Sequence, residues 1–323
     1  MNIDPKDIKK ILIVNLGGVG DMLLSTPALR AISKRYNGAK MYIITIPRSA
    51  ELAKKLPYID AVFEFYTESG VIGTARNMAT LLALRREGID LAVNMRTMVS
   101  RKGASGIKAL FDVIRPRIRA GRDTGGMGDF FDIKVPEPPV GTRYEMDYDI
   151  ETARYLGAEA SNRTIDFAIA PEDTAEVDKI LEANGVAAGD ILVGAHPGGA
   201  PSHRWSAENF REVIGLLRGR YGCKFVITGN RGEMKLCRAI AEALGPGVVN
   251  LAGKLNLAEL GALIKRCRLY ISNDTAPMHI AAIVGTPLVA IFGPGYFERF
   301  DPGNISDKTA VIYRKAPCAP CGR

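Results

Sequence analysis

The stretch ILIVNLGGVGDMLLSTPALRAI, residues 11–32, passes from a short apolar run through Gly17, Gly18, Gly20 and Asp21 into a helical run that begins near Pro27. A brief run rich in Ile and Val, bounded by glycine, reads as a buried strand, and the longer segment after it has helix length. Strand, glycine turn and helix together form the opening of a βαβ unit. Working outward, the same alternation recurs. MYIITI (41–46), AVFEF (61–65) and LAVNM (91–95) read as strands in the first half, and ILVGAH (191–196), KFVITG (224–229), VVNLAG (248–253), LYISND (269–274) and LVAIFG (288–293) in the second. This pattern implies an α/β protein with parallel sheets covered by helices. Pro and polar residues around VPEPPVGTR, followed by a helical segment over 144–156, mark a change of unit. The boundary is expected near Pro171, giving domains 1–171 and 172–323.

Composition agrees with two soluble domains. The 323 residues exceed what one core usually serves. They are 47% hydrophobic and 24% charged, the balance of a globular enzyme. No apolar run approaches the roughly 20 residues needed to span a bilayer, and the N-terminus MNIDPKDIKK does not read as an export signal. Five scattered cysteines fit a reducing, cytoplasmic setting. A net charge of +8 points to an anionic partner. The crowded Arg115, Arg117, Arg119 and Arg122 read either as a patch for that partner or as a solvated basic loop.

Ligands of open α/β sheets bind beyond the carboxyl ends of the strands, so three post-strand segments carry the chemistry. In the first, glycines let backbone approach a ligand, while Asp21 is either a helix cap or a general base. The third glycine of a dinucleotide fingerprint is replaced by Leu23, and ITIPRS supplies no acid after the second strand, which argues against NAD. In the second, GAHPGGAPSHRWSAENF (194–210), glycine amides lie beside His203 and Arg204, groups suited to an anion or to the solvated surface. Trp205 reads as core. In the third, LYISNDTAPMHIAAIVGTPLVAIFGP (269–294), Asp274, Thr275 and Ala276 open a helix whose amides and dipole favour a diphosphate. Asp274 as a plain N-cap and His279 as a core histidine are the alternatives. Asp147-Tyr-Asp149 is set aside as a metal motif because positions two apart diverge around a helix. Cys318 and Cys321 lack a second pair for zinc.

In this order and spacing, LIVNLGGVGDMLLSTPALRAI, HPGG with HRW, ITGNRGE and NDTAPMHIAAIVGTPLVAIFGP resemble glycosyltransferase family 9, the ADP-heptose:lipopolysaccharide heptosyltransferases, across nearly the whole chain. The resemblance implies a GT-B fold, two Rossmann-like domains facing a central cleft, the first binding the acceptor and the second the sugar nucleotide. Asp21 falls on the family's proposed catalytic carboxylate, with Gly17, Gly18 and Gly20 as the acceptor-side loop. His203, where the family often has Lys, Arg204, Asp274, Thr275, Ala276 and His279 would hold the donor's diphosphate and sugar. Gly229 and Glu233 would serve the nucleotide, Glu233 holding ribose hydroxyls. Two departures stand out: His is charged only part of the time near neutral pH, and Ala276 replaces a glycine, which would matter if that position needed a positive φ. Members usually continue past CAPCGR with further cysteines and a closing helix.

The expected reaction is therefore inverting, metal-independent transfer without a cofactor, from a sugar nucleotide such as ADP-heptose to an anionic glycolipid of the lipopolysaccharide core. The expected setting is a cytoplasmic monomer in peripheral contact with the inner membrane and without a nucleic-acid partner. The rivals are another Rossmann-type nucleotide-sugar enzyme, such as an epimerase, and a non-catalytic sugar-binding protein.

Overall fold

The chain divides into two units, Met1–Asp166 and Phe167–Arg323, the break falling a few residues ahead of Pro171. The computed structural model describes residues 3–67, 70–138 and 142–314. The CxxC at Cys318 and Cys321 lies outside the described residues.

The first unit runs β1 (Lys10–Asn15), α1 (Val19–Arg35), β2 (Lys40–Thr45), α2 (Pro47–Lys54), β3 (Ala61–Glu64), α3 (Val71–Glu87), β4 (Leu91–Asn94), α4 (Arg101–Ile114), β5 (Ile118–Thr124), β6 (Ile133–Glu137) and α5 (Glu145–Tyr155). Its six strands are parallel in the order β3-β2-β1-β4-β5-β6. The second unit runs α6 (Pro171–Ala183), β7 (Leu192–His196), α7 (Ala207–Tyr221), β8 (Lys224–Ile227), α8 (Met234–Leu244), β9 (Val248–Asn250), α9 (Leu257–Arg266), β10 (Leu269–Asn273), α10 (Ala276–Ile283), β11 (Leu288–Phe292), α11 (Phe297–Phe300) and β12 (Thr309–Tyr313). Its sheet, also parallel, reads β12-β11-β10-β7-β8-β9. Both are the doubly wound Rossmann order, with the strand order reversing at β1/β4 and at β7/β10. The continuous apolar runs of β1 and β7 are what two helix-covered faces require. Leu12, Val14, Phe111 and Phe131 centre one core cluster and Phe210, Phe225, Ile227 and Ile240 another.

Two sequence expectations need correction. The first helix begins at Val19, well before Pro27, so Gly20 is its second residue rather than part of a loop. Asp21 makes this possible, because its carboxylate accepts the Gly18 amide and closes the N-terminus. Pro27 removes a donor to the Leu23 carbonyl, and the Thr26 hydroxyl donates to that oxygen instead. The basic stretch at 115–122 is also no solvated loop. Arg115 ends α4 in the left-handed region at φ 57°, Arg117 and Arg119 pair with Asp90 and Asp112, and Arg122 lies inside β5 with its side chain 1% exposed. Among the described residues no helix is long and apolar enough to cross a membrane.

Candidate active site

Each unit gathers its candidate residues at its own switch point, where loops part on either side of the sheet and leave room for a ligand.

In the first unit the β1 turn brings Asp21 to the carboxyl end of the strands. Gly17 is obligatory here: a Cβ would stand 2.7 Å from the Asp21 carboxylate. The two Asp21 oxygens divide their work. Oδ2 accepts the Gly18 amide at 2.7 Å, and Oδ1 accepts Nη1 of Arg96 at 2.5 Å. The capping role read from the sequence is therefore real, and it leaves the carboxylate partly exposed at 17%.

Arg96 also donates to Glu145 at 3.0 Å, and Glu145 accepts Arg122 at 2.9 Å. Arg122 reaches Asp149 on the next turn of α5, with Glu137 at 3.6 Å. The Ser25 hydroxyl lies 2.8 Å from both Asp149 and the Asp21 carbonyl, and accepts the Asn15 amide. The chain of charges grades from a closed end at Glu145 and Asp149 to an open end, Asp21, with its side chain 17% exposed. Burial alone would push the Asp149 carboxyl up; with Arg122 pulling it down and Glu145 pushing it up, it settles at about 7. Burial opposes the Arg96 charge, but Asp21 and Glu145 outweigh it and its pKa rises. Asp147, by contrast, faces outward and pairs with Arg163, so the acid-x-acid pair does not converge.

In the second unit the β7, β10 and β11 ends converge. Asn273, buried at the end of β10, donates to the carbonyls of Pro197 and Gly198 and accepts the Trp205 amide, clamping the glycine loop onto the following turn. Gly199 sits at φ 120°, where a side chain is strained, and a Cβ there would also meet Thr275 at 2.7 Å. Arg204 donates to the Gly199 carbonyl and stands 3.7 Å from Glu233. Gly295 adjoins both His203 and Asp274: a Cβ there would lie 2.7 Å from Asp274 Oδ2 and 4.0 Å from His203 Cε1. Thr275, not Asp274, is the N-cap of α10 and makes no side-chain capping bond to the helix amides. Ala276 is the first helical residue, and among the described residues Arg115 alone has positive φ without being glycine. The added methyl therefore imposes no left-handed strain.

Three of the expected ligand residues already have partners within the unit. Glu233 ties two loops together: its oxygens accept the Gly199 and Asn230 amides, and it is 5% exposed. Gly229 is a packing glycine, since a Cβ would meet Cys237 at 2.7 Å. His279 is buried against Phe300, and burial pushes its pKa down to about 4, so the ring is neutral and inside the core rather than on a phosphate. Trp205 packs edge-on against Phe210, as expected of a core side chain. Arg96, Glu145 and Asn273 join the sites without belonging to the residues singled out from the sequence. Arg96 follows the strand read at 91–95 directly, so the carboxyl-end rule alone pointed to it. Glu145 comes into reach only because α5 packs on α1, a contact that local pattern does not encode.

Comparison with known proteins places this arrangement. Residues 119–323 match the family model for glycosyltransferase family 9 (heptosyltransferase). Lipopolysaccharide heptosyltransferase 3 of Escherichia coli is 26% identical over 312 residues, covering 92% of this chain and 88% of that one. Among solved structures, a family 9 glycosyltransferase from Veillonella parvula superposes with a TM-score of 0.78 at 24% identity, covering 97% and 88% of the two chains. The E. coli ADP-heptose LPS heptosyltransferase II gives 0.74 at 20% identity, covering 96% and 92%. With most of its length matched by the family model and two Rossmann-like units in place, the chain belongs to glycosyltransferase family 9 and is a glycosyltransferase.

Proposed function

We propose that this enzyme transfers heptose from ADP-heptose to a lipopolysaccharide-core or related glycolipid acceptor, with inversion at the anomeric carbon and without a resident metal or cofactor. The names borne by its relatives support the donor and acceptor classes. The observation that carries the mechanism is the Asp21 carboxylate, held at the open end of the charge network by Gly18 and Arg96.

Asp21 Oδ1 takes the proton of the acceptor hydroxyl as that oxygen attacks the anomeric carbon from the face opposite the diphosphate. Arg96 and the Gly18 amide orient the carboxylate, so little reorganisation accompanies the attack. As the glycosidic bond breaks, its electron pair passes to the diphosphate. The Ala276 amide at the start of α10, together with Thr275, Arg204 and His203, meets the charge that develops there. Ala276 leaves the α10 turn helical and so compatible with this role. The acceptor would lie at the inner face of the cytoplasmic membrane, where the monomeric enzyme makes peripheral contact and no nucleic acid takes part.

The test is transfer from ADP-heptose to a deacylated, water-soluble core acceptor in the presence of EDTA, with the product's anomeric configuration read by NMR. Asp21→Ala should lose about 100-fold to 10,000-fold in turnover while keeping its affinity for ADP, and should melt several degrees lower because the α1 cap is gone. An active Asp21→Ala variant sinks the base assignment. A requirement for divalent ion, or retained configuration, sinks the corresponding part of the mechanism.

A further inference from the structure

Helix α3 buries apolar side chains along one face and bares two more at its start. Leu81 and Leu84 point into the core, yet Val71 and Ile72 at its start are 89% and 74% exposed. Val99, just ahead of α4, is 68% exposed as well. Because all strands are parallel, α3 and α4 begin at the carboxyl ends of β3 and β4, on the rim where the turn after β1 places Asp21. Three bare aliphatic side chains therefore crown the edge that carries the base.

The charges on these helices have one sign where they are uncompensated. On α3 the only acid is Glu87, paired with Lys10; on α4 it is Asp112, paired with Lys108 and Arg119. Arg101 and Lys102, beside Val99, are exposed and make no ion pair among the described residues. Aliphatic side chains that can enter the headgroup layer, flanked by cations and without a free acid on either helix, match an anionic bilayer.

We propose that the rim formed by Val71, Ile72, Val99, Arg101 and Lys102 docks the first unit on an anionic lipid surface. Docking there presents the hydroxyl of a lipid-borne acceptor to Asp21. The inference rests on the glycolipid reading of the acceptor and names the surface that meets the lipid.

Sedimentation with vesicles tests it, using the full chain without acceptor. The chain should partition onto phosphatidylglycerol–phosphatidylcholine vesicles and hardly onto phosphatidylcholine alone. The triple substitution Val71→Ser, Ile72→Ser, Val99→Ser should weaken partitioning by about tenfold or more. Arg101→Gln with Lys102→Gln should weaken it most at low salt, where surface charge is least screened. All five side chains are exposed, so both variants should melt like the parent and transfer to the water-soluble acceptor at the parent rate. Wild-type indifference to anionic lipid overturns the proposal, as does undiminished binding by the triple variant or its loss of transfer to the soluble acceptor. A dimer that the triple substitution dissociates, without vesicle binding, assigns the face to a second copy and also overturns it. Vesicle binding by an enzyme that transfers nothing from ADP-heptose leaves the docking surface standing and removes the function proposed above.

Discussion

The two switch points are built by opposite means. Around Asp21 the first unit aligns side chains of alternating charge, Asp21, Arg96, Glu145, Arg122 and Asp149, and buries most of them. Around Thr275 the second unit folds backbone against backbone, with Asn273 and Glu233 stapling amides and carbonyls together and glycines clearing the space. One cluster is set by charge balance, the other by shape. The difference suits the two tasks proposed for them: a base needs its carboxylate fixed against other charges, whereas a diphosphate needs a lining of amides.

If that contrast is right, removing one charge from the first cluster should do the greatest damage. Glu137, Glu145 and Asp149 already surround Arg122 inside the protein. Arg122→Met fills similar volume but strands those carboxylates, a change that costs about 3–5 kcal/mol when a buried pair loses one partner. The melting transition of the first unit should fall by roughly 10 °C. Adding Glu145→Gln should recover part of the loss, because it withdraws one stranded charge. A melting temperature within a degree or two of the parent would mean that packing, not charge, holds this site.

The same contrast predicts opposite responses to pH. Asp149 holds its proton up to about pH 7 in the fold, against an ordinary value of 3.8. Across that window the folded unit retains a proton that the unfolded chain has released, so the stability this group contributes is complete below 3.8 and is lost as pH rises toward 7. His279 works the other way. Its ring stays neutral in the core down to about pH 4, against an ordinary 6.5, because burial penalises the charge. Its contribution is complete above 6.5 and is lost as pH falls toward 4, by roughly 3 kcal/mol over the window. Thermal unfolding between pH 4 and 7.5 should therefore show His279→Phe flattening the acid side and Asp149→Asn flattening the neutral side. Parallel shifts of both variants at every pH would refute the division.

How much of this was legible in the sequence follows from the same division. Strand-ending motifs mark the second site well, since glycines and turn residues are local signals: HPGG, Asp274 and Thr275 all fall where the loops converge. The strands of both sheets were readable from apolar runs, apart from β5, β6 and β12. In β5 the arginines masked the strand, because a buried arginine satisfied by carboxylates from distant segments looks like a surface residue in its own sequence. For the same reason the first site was legible only at Asp21. Its ionic partners lie 75 and more residues away, just after β4 and on α5, and partners at that range leave no periodicity. Glu233 and His279 show where a motif stops being informative: a polar residue in it can be engaged in holding a loop, as Glu233 is, or packed in the core, as His279 is.

The smallest of the expected effects probes shape alone. Gly198 does not need a positive φ; what excludes a side chain is the Glu233 carboxylate, whose three terminal atoms would each lie 2.4 Å from a Cβ. Glu233 cannot simply swing aside, because amides of Asn230 and Gly199 hold its oxygens and the residue is buried. Gly198→Ala should therefore cost about 1–2 kcal/mol as an overpacked substitution and weaken ADP binding by about 5-fold to 30-fold, leaving the first unit's stability untouched. Shortening the acid with Glu233→Asp draws the carboxylate away from the new methyl group. The double variant should accordingly be more stable than the sum of the two single losses, a coupling that a thermodynamic cycle reads directly. Additive losses would show that the loop yields elsewhere, and that Glu233 is not the staple that shapes the second site.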